Sequence, residues 1–82
     1  MNPTEIEALL KAHLPQHQHI EVKTRDQVHF EALLVSDAFS GLSRIARQRK
    51  VYEVLGPYLQ SGQIHALALK TLTPEEWQQE TK

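Results

Sequence analysis

The chain has 82 residues, no cysteine and a formal net charge of −1, which predicts one small domain spanning positions 1–82. The lack of cysteine excludes disulfides and thiolate metal sites, so a metal must be held by histidines and carboxylates or shared with another molecule. The near-neutral charge argues against a general nucleic-acid binder. No membrane-length apolar run and no signal pattern is found, which predicts a cytoplasmic protein without a membrane partner.

The first predicted element is a helix that begins next to Asn2. Asn2 suits the N-cap, Pro3 suits the first helical position, and Glu5 can close a capping box. Pro15 ends the helix. An apolar stripe at helical spacing is expected to face the core. It consists of Ile6, Leu9, Leu10 and Leu14.

Two strands joined by the polar turn TRDQ come next, and they are predicted to form a hairpin. The first, HIEVK, alternates and places Ile20 and Val22 inward. The second, VHFEALLVS, is apolar on much of both faces, which is typical of the centre of a sheet. Its second face carries Leu33 and Val35 with only polar company and is a candidate interaction surface.

The segment SRIARQRKVYEVLGPYLQSG has a helical pattern interrupted by Gly56-Pro57, which predicts a long helix followed by a short one. Ser40 or Ser43 can cap the long helix. One of its sides steps by three and four residues through Ile45, Gln48, Tyr52 and Leu55. A buried, unpaired amide would cost about 1–3 kcal/mol, so Gln48 either hydrogen-bonds at the core edge or borders a groove.

GQIHALALK predicts a third strand, with Leu67 and Leu69 on the face that should be buried and His65 leading that row. His65 either packs with its nitrogens bonded to the backbone or binds something outside the chain. Thr73 then caps a short final helix with Glu76 at the closing position of the capping box. Trp77 is placed to anchor this helix onto the body.

The predicted order is α-β-β-α-α-β-α, which is an α+β domain. Because a helical crossover between strands is right-handed and makes them parallel, the second and third strands are expected to pair in parallel. Together with the hairpin, this gives a three-stranded mixed sheet with helices on one face.

The chain shows no pattern typical of a catalytic site. It has no cysteine nucleophile, no serine in a nucleophile-elbow setting and no glycine-rich phosphate loop, so a non-enzymatic protein is predicted. His13, His17 and His19 are poorly spaced for a metal site, and surface histidines are the simpler interpretation. The basic segment SRIARQRK offers candidate contacts for a partner or a nucleic acid. These are Arg44, Arg47, Arg49 and Lys50.

Three ordered blocks of the sequence resemble the BolA family: HFEALLVS, FSGLSRIARQRKVYEVL and IHALALKTLTPEEW. They match the F-x-G-x-S-x-x-x-R-H-R-x-V-Y helix, the I-H-A-L strand and the T-P-x-E-W ending of that family. Gln48 stands at the histidine of R-H-R, which, with the chain length, is most similar to the short IbaG (YrbA) branch. The resemblance implies a BolA-like fold, similar to class II KH domains.

The resemblance also implies a non-enzymatic adaptor that serves iron–sulfur or iron homeostasis or a stress response. Such an adaptor pairs with a monothiol glutaredoxin and shares with it a glutathione-bound two-iron, two-sulfur cluster. The matching ligand here is His65, and His29 is a second candidate ligand. A chain without cysteine depends on its partner for thiolates, and histidine can replace thiolate at iron. Arg44 and Tyr52 would line the groove that receives the partner.

Other interpretations stay open from the sequence. One is a DNA-binding transcriptional regulator that uses Arg44, Arg47, Arg49 and Lys50, although GLSR retains only the first glycine of the KH G-x-x-G loop. Another is a metal-free complex with the glutaredoxin held by the region around Trp77. Association of the chain into a weak homodimer is also left open.

Overall fold

A three-stranded sheet lies at the centre of the computed structural model, which describes residues 1–80. The elements are α1 (Pro3–His13), β1 (His17–Thr24), β2 (His29–Ser36), a 3-10 helix (Asp37–Phe39), α2 (Arg44–Gln60), β3 (Ala66–Leu72) and α3 (Pro74–Glu80). The last two positions of the predicted 1–82 domain lie outside the described residues. No helix within residues 1–80 is long and apolar enough to cross a membrane.

The sheet has the order β1-β2-β3, with β1 antiparallel to β2 and β2 parallel to β3. The predicted α+β class and mixed three-stranded sheet are therefore confirmed. One face of the sheet meets α1 and α2 around a common apolar core. The buried strand residues on this face are Ile20, Val22, Phe30, Ala32 and Leu34, and Leu67 and Leu69 pack against them.

The predicted helix starts are confirmed by their capping bonds. Asn2 Oδ1 accepts a 2.8 Å hydrogen bond from the Glu5 backbone N–H, and Ser43 Oγ accepts one of 3.1 Å from Ala46. These bonds satisfy amides that the first turn of a helix leaves without partners. Local sequence therefore determines where the helices begin.

The predicted break at Gly56-Pro57 is wrong, because α2 continues through both residues to Gln60. Pro57 lies close to the helix end and removes one N–H donor, the one that would bond to the carbonyl of Glu53. Glu53 and Pro57 are both exposed, so water can satisfy that carbonyl. One continuous helix therefore runs from Arg44 to Gln60.

The side of α2 predicted to be apolar is mostly turned to solvent. Ile45 and Tyr52 are 65% and 40% exposed, and Gln48 is exposed as well. The buried side instead runs through Arg47, Val51 and Leu55. Gln48 therefore lies on an open side of the helix, and its amide stays in contact with water. This agrees with the expectation that Gln48 borders a groove, and it excludes a hydrogen bond at the edge of the core.

The expectation that all helices lie on one face is also wrong, because α3 folds over the second face at the far end of the sheet. The Trp77 ring stacks on His19 of β1, with ring centroids 5.1 Å apart, and Lys70 of β3 bonds to Glu80 at 2.6 Å. Val35 on this face is fully buried rather than surrounded by polar groups, while Leu33 is half-buried. Trp77 thus anchors α3 as expected, and the second face is only partly open.

Candidate functional site

The two candidate histidine ligands lie at the same end of the sheet. His29 is the first residue of β2, and its register partner in β3 is Ala66, the residue that follows His65. Because β2 and β3 are parallel, their first residues meet at one edge of the sheet. The fold therefore brings two positions that are 36 residues apart in the chain to the same end of the sheet.

The backbone around His65 is fixed while its side chain is exposed. The N–H of Ile64 donates to the Tyr58 carbonyl at 3.0 Å, and the N–H of Ala66 donates to the Val28 carbonyl at 3.2 Å. Ile64 is fully buried, whereas His65 is exposed and its ring has no hydrogen-bond partner among residues 1–80. The position is thus held on both sides, with both ring nitrogens available, and the packing alternative for His65 is not supported.

The ring of His29 is held by the turn that precedes it. Asp26 Oδ1 accepts hydrogen bonds of 2.9 Å from the backbone N–H groups of Val28 and His29, and its Oδ2 lies 2.8 Å from His29 Nδ1. Thr24 also bridges the turn, donating to the His29 carbonyl at 2.7 Å. The pKa of Asp26 lies well below its ordinary range. The main cause is the contact of its carboxylate with the His29 ring, and the two backbone hydrogen bonds add to it.

A carboxylate that orients one imidazole nitrogen is the usual companion of a metal-binding histidine, because it leaves the other nitrogen directed outward. Asp26 has this relation to His29, and the sequence analysis missed it. Its signal was the aspartate three residues before His29 in a polar turn. An open depression of about 650 Å³ borders both side chains.

This end of the sheet can supply part of a metal site but not all of one. Residues 1–80 contain no group of three or more histidines and carboxylates placed to hold a metal ion. The chain also has no cysteine. Any iron bound at His65 must therefore take its remaining ligands from another molecule.

Arg47, predicted to contact a partner or nucleic acid, points into the protein and is 7% exposed. Its Nη1 bonds to Glu76 Oε1 at 2.7 Å and to the Thr71 carbonyl at 3.2 Å, and its Nε bonds to the Leu42 carbonyl at 3.1 Å. Glu76 also closes the capping box with Thr73, accepting from its N–H at 2.8 Å. Arg47 therefore joins α2, β3 and α3, and its guanidinium is not available to a partner.

The other basic residues of α2 remain accessible. Arg44 and Arg49 are exposed and Lys50 is half-buried, and none of the three has an ion-pair partner within residues 1–80. Their spacings of five and one residues do not align them on one side of a helix. Tyr52 lies on a different side from Lys50, next to Gln48. The four accessible candidates thus surround the helix rather than form one stripe.

Comparison with known proteins identifies the family. Residues 1–76 match the model of the family described as BolA-like protein. The acid stress protein IbaG of Escherichia coli strain K12 is 35% identical over 83 residues, which cover 100% of this chain and 95% of IbaG. A Haemophilus influenzae protein is 42% identical over 55 residues, covering 67% of this chain and 65% of that protein. The DNA-binding transcriptional regulator BolA of Vibrio cholerae is 47% identical over 51 residues, covering 62% of this chain and 47% of the regulator.

Solved structures show the same fold. The crystal structure of a bol-like protein from Babesia bovis has a TM-score of 0.84 and 29% identity, covering 100% of this chain and 95% of that one. A bolA protein homologue from Coxiella burnetii has a TM-score of 0.80 and 36% identity, covering 95% of this chain and 97% of that one. Sequence and fold agree along nearly the whole length, and the chain therefore belongs to the BolA family, on the branch of IbaG.

Proposed function

We propose that this protein is a non-enzymatic adaptor that pairs with a monothiol glutaredoxin and contributes His65 to a two-iron, two-sulfur cluster shared with glutathione. The observation that carries the proposal is the state of His65. The backbone on both sides of it is held by hydrogen bonds from the N–H groups of Ile64 and Ala66, and its ring is exposed without a partner among the described residues. A histidine with only a packing role would be expected to be buried or hydrogen-bonded.

The iron ligands that this chain can offer fit a cluster shared with a partner better than a cluster bound by this chain alone. Imidazole binds iron in place of thiolate in some two-iron, two-sulfur centres, where it raises the reduction potential. The chain offers imidazoles but no thiol, so the glutaredoxin cysteine and glutathione would provide the sulfur ligands. His29, with Asp26 bonded at Nδ1, is the second residue that would face iron.

The docking surface we propose for the glutaredoxin is the open side of α2, a helix that runs from the Arg47 end of the sheet toward the end that carries His65. Ile45 and Tyr52 are large apolar side chains that remain 65% and 40% exposed on it. Arg44 lies one turn from Gln48 and adds a positive charge. Large aromatic and arginine side chains contribute most to protein–protein affinity, so Tyr52 and Arg44 are the expected anchors. Since IbaG of Escherichia coli is an acid stress protein, we extend the role to stress response.

The test is to mix the pure protein with a monothiol glutaredoxin, glutathione, iron and sulfide, and to record visible absorption and circular dichroism. Wild type, His65→Ala and His13→Ala are compared, because His13 is an exposed histidine at the end of α1, away from the site. We expect a heterodimer spectrum distinct from the glutaredoxin homodimer for wild type and His13→Ala, and its loss for His65→Ala.

Two results would contradict the proposal. The first is a wild-type mixture whose spectrum equals that of the glutaredoxin homodimer. The second is a His65→Ala spectrum and cluster lifetime equal to those of His13→Ala. A parallel titration without iron measures the metal-free complex, and Trp77→Ala weakens it if the C-terminal region holds that complex.

A DNA-binding role is the second candidate, favoured by the name of the Vibrio cholerae relative and by the accessible cations of α2. Of the four cations predicted on α2, Arg47 is buried, which leaves Arg44, Arg49 and Lys50 to neutralise phosphates. With three cations, the logarithm of affinity should fall against the logarithm of salt concentration with a slope no steeper than about −2.7. Absence of duplex binding at low salt would exclude this role.

A further inference from the structure

The outer edge of β3 carries backbone groups that no described residue satisfies. β3 is last in the sheet order, and the N–H of Ala66 donates to Val28 in the ladder with β2. Successive residues of a strand direct their backbone groups to opposite sides, so Leu67 and Leu69 direct both N–H and C=O away from β2. Neither has another hydrogen-bond partner within residues 1–80.

The open stretch of this edge is short because both of its ends are fixed. At the carboxyl end, the Thr71 carbonyl already accepts from Arg47 Nη1 at 3.2 Å. At the amino end, the chain leaves the sheet at His65, before β3 begins. Two residues, Leu67 and Leu69, thus offer complete pairs of donor and acceptor, placed symmetrically about Ala68.

The opposite edge of the sheet is blocked at one point by a charged side chain. On β1, the outward N–H of Val22 donates at 3.0 Å to the carboxylate Oε2 of Glu7 from α1. Proteins commonly block edge strands with a charged side chain in this way, because exposed edges pair with other chains. No comparable side chain among the described residues covers Leu67 or Leu69.

α2, the helix that packs on β3, carries two exposed apolar side chains. α1 packs on β1 and α2 on β3, and His13 of α1 lies 4.0 Å from Glu53, which marks the side of α2 that faces α1. Ile45 and Tyr52 lie about a quarter turn around α2 from Glu53, and we infer that they face toward the edge of β3. They are two of the three large hydrophobic side chains exposed among residues 1–80.

We propose that a second copy of this chain pairs with β3 in antiparallel orientation about a twofold axis through Ala68. In this register Leu67 of each copy opposes Leu69 of the other, and the two pairs exchange four backbone hydrogen bonds. Such an interface is self-complementary, as a twofold dimer requires. It satisfies every open donor and acceptor on Leu67 and Leu69, and the Ile45 and Tyr52 side chains of the two copies meet beside it.

The distribution of charge along β3 is compatible with pairing of two copies. Residues 66–69 are uncharged, and Lys70, the charged residue of β3, would lie opposite Ala66 of the second copy. Its ammonium is already bonded to Glu80 at 2.6 Å. No like charges therefore oppose each other across the axis, and a small side chain, Ala68, meets itself there. The net charge of −1 adds little repulsion between copies.

The proposal goes beyond the proposed function and does not depend on it. In the same register His65 would lie opposite Thr71 of the second copy, next to the paired edges. Self-association would therefore cover the residue that we assign to the cluster, and the dimer and the glutaredoxin complex would compete for one surface.

The test uses charge at the axis. Ala68 is exposed, and its register partner in β2 is Glu31, so the lysine of Ala68→Lys would have an opposite charge beside it inside the monomer. Sedimentation velocity over a concentration series compares wild type, Ala68→Lys, Ala68→Glu and the control Ala8→Lys on the exposed side of α1. We expect like charges at the axis to raise the dimer dissociation constant by at least about tenfold. An equimolar mixture of Ala68→Lys and Ala68→Glu should restore the dimer, because opposite charges then meet.

Rescue in the mixture is specific to pairing at Ala68, because a misfolded variant would not recover on mixing. Hydrogen exchange gives a second readout, in which the amides of Leu67 and Leu69 gain protection with concentration while that of Val22 does not. A wild type that stays monomeric at millimolar concentration overturns the proposal. So does a dimer that Ala68→Lys leaves unchanged, or protection of Leu67 that appears only with a foreign peptide.

Discussion

The two ends of the sheet use polar side chains in opposite ways. At the end where β3 finishes, Arg47 bonds to two backbone carbonyls and to Glu76, which in turn caps α3. No buried side-chain nitrogen or oxygen among the described residues is left without a partner. At the end where β2 and β3 begin, His65 is exposed with a free ring, and His29 uses one nitrogen on Asp26.

This difference separates residues that hold the fold from residues available to a partner. A charge that is buried must be paired, and here the pairing uses most of the guanidinium. A histidine that is exposed on a fixed backbone costs the fold little and keeps its ring available. We therefore expect substitutions at the Arg47 end to reduce stability, and substitutions at the histidine end to affect binding alone.

The largest effect is expected for Arg47→Met, which keeps much of the side-chain volume but removes the charge. The substitution leaves the Leu42 and Thr71 carbonyls and Glu76 without their donor. We expect a loss of about 2–4 kcal/mol in the free energy of unfolding, the range for a broken buried pair whose carboxylate is partly solvated. Urea denaturation measures it.

The matched control is Arg49→Met, an exposed arginine on the same helix. It should change stability by no more than about 0.5 kcal/mol, as usual for surface positions. Equal losses for the two arginines would contradict the structural role assigned to Arg47.

A smaller effect is expected for Glu76, and it should depend on pH. The hydrogen bond from Arg47 and that from the Thr73 backbone lower the pKa of Glu76 from its ordinary value of 4.5 to about 2. A carboxyl with a lowered pKa in the folded state stabilises the fold above its ordinary pKa, and this stability is lost as pH falls toward the folded pKa. Wild type should therefore exceed Glu76→Gln in melting temperature at pH 6, and the difference should shrink between pH 4.5 and 2.

Thermal unfolding by circular dichroism across this pH range provides the measurement. Glu75→Gln, on the exposed neighbour, serves as the control and should show no such convergence. A difference between wild type and Glu76→Gln that is constant with pH would show that the Arg47 contact does not depend on the charge of Glu76.

Next in size is Asp26→Asn at the histidine end. Asparagine keeps an oxygen for the two backbone N–H groups of the turn, so stability should change by less than about 0.5 kcal/mol. It removes the carboxylate that holds His29, and loss of such a companion weakens a metal site by roughly tenfold or more. Cluster retention in the glutaredoxin mixture tests this, with Asp37→Asn as the control. Unchanged retention would remove His29 from the ligand set.

The smallest effect on the fold is expected for His65→Ala without iron. The ring makes no hydrogen bond within residues 1–80, so unfolding free energy should stay within about 0.5 kcal/mol of wild type. Denaturation of the metal-free protein measures it. A loss above about 1 kcal/mol would indicate that the His65 ring packs against the fold and would contradict its assignment as a free ligand.

Much of the fold could be predicted because its signals are local. Asn2 with Glu5 and Thr73 with Glu76 are capping pairs three residues apart, and alternation alone placed Ile20 and Val22 inward. The side of α2 that faces the core could not be predicted in this way. Its buried side contains an arginine and its exposed side an isoleucine and a tyrosine, so hydrophobic spacing pointed to the wrong side.

The candidate site likewise contains residues that could be predicted from the sequence and residues that could not. His65 was identified through a motif, while the roles of Arg47 and Asp26 depend on contacts that sequence does not display. Arg47 and Glu76 are 29 positions apart and meet only because α3 folds back over the end of the sheet. A short helix of seven residues carries too little apolar pattern to reveal where it packs.

The carboxylate of Glu7 on the edge of β1 has a consequence for growth of the sheet. A sheet with two open edges can add copies at both sides without end, and that is the route to filaments. If two copies join through β3 as proposed, both outer edges of the joined sheet are β1 strands that carry Glu7. Self-association through β3 would then be expected to stop at two copies rather than to form filaments.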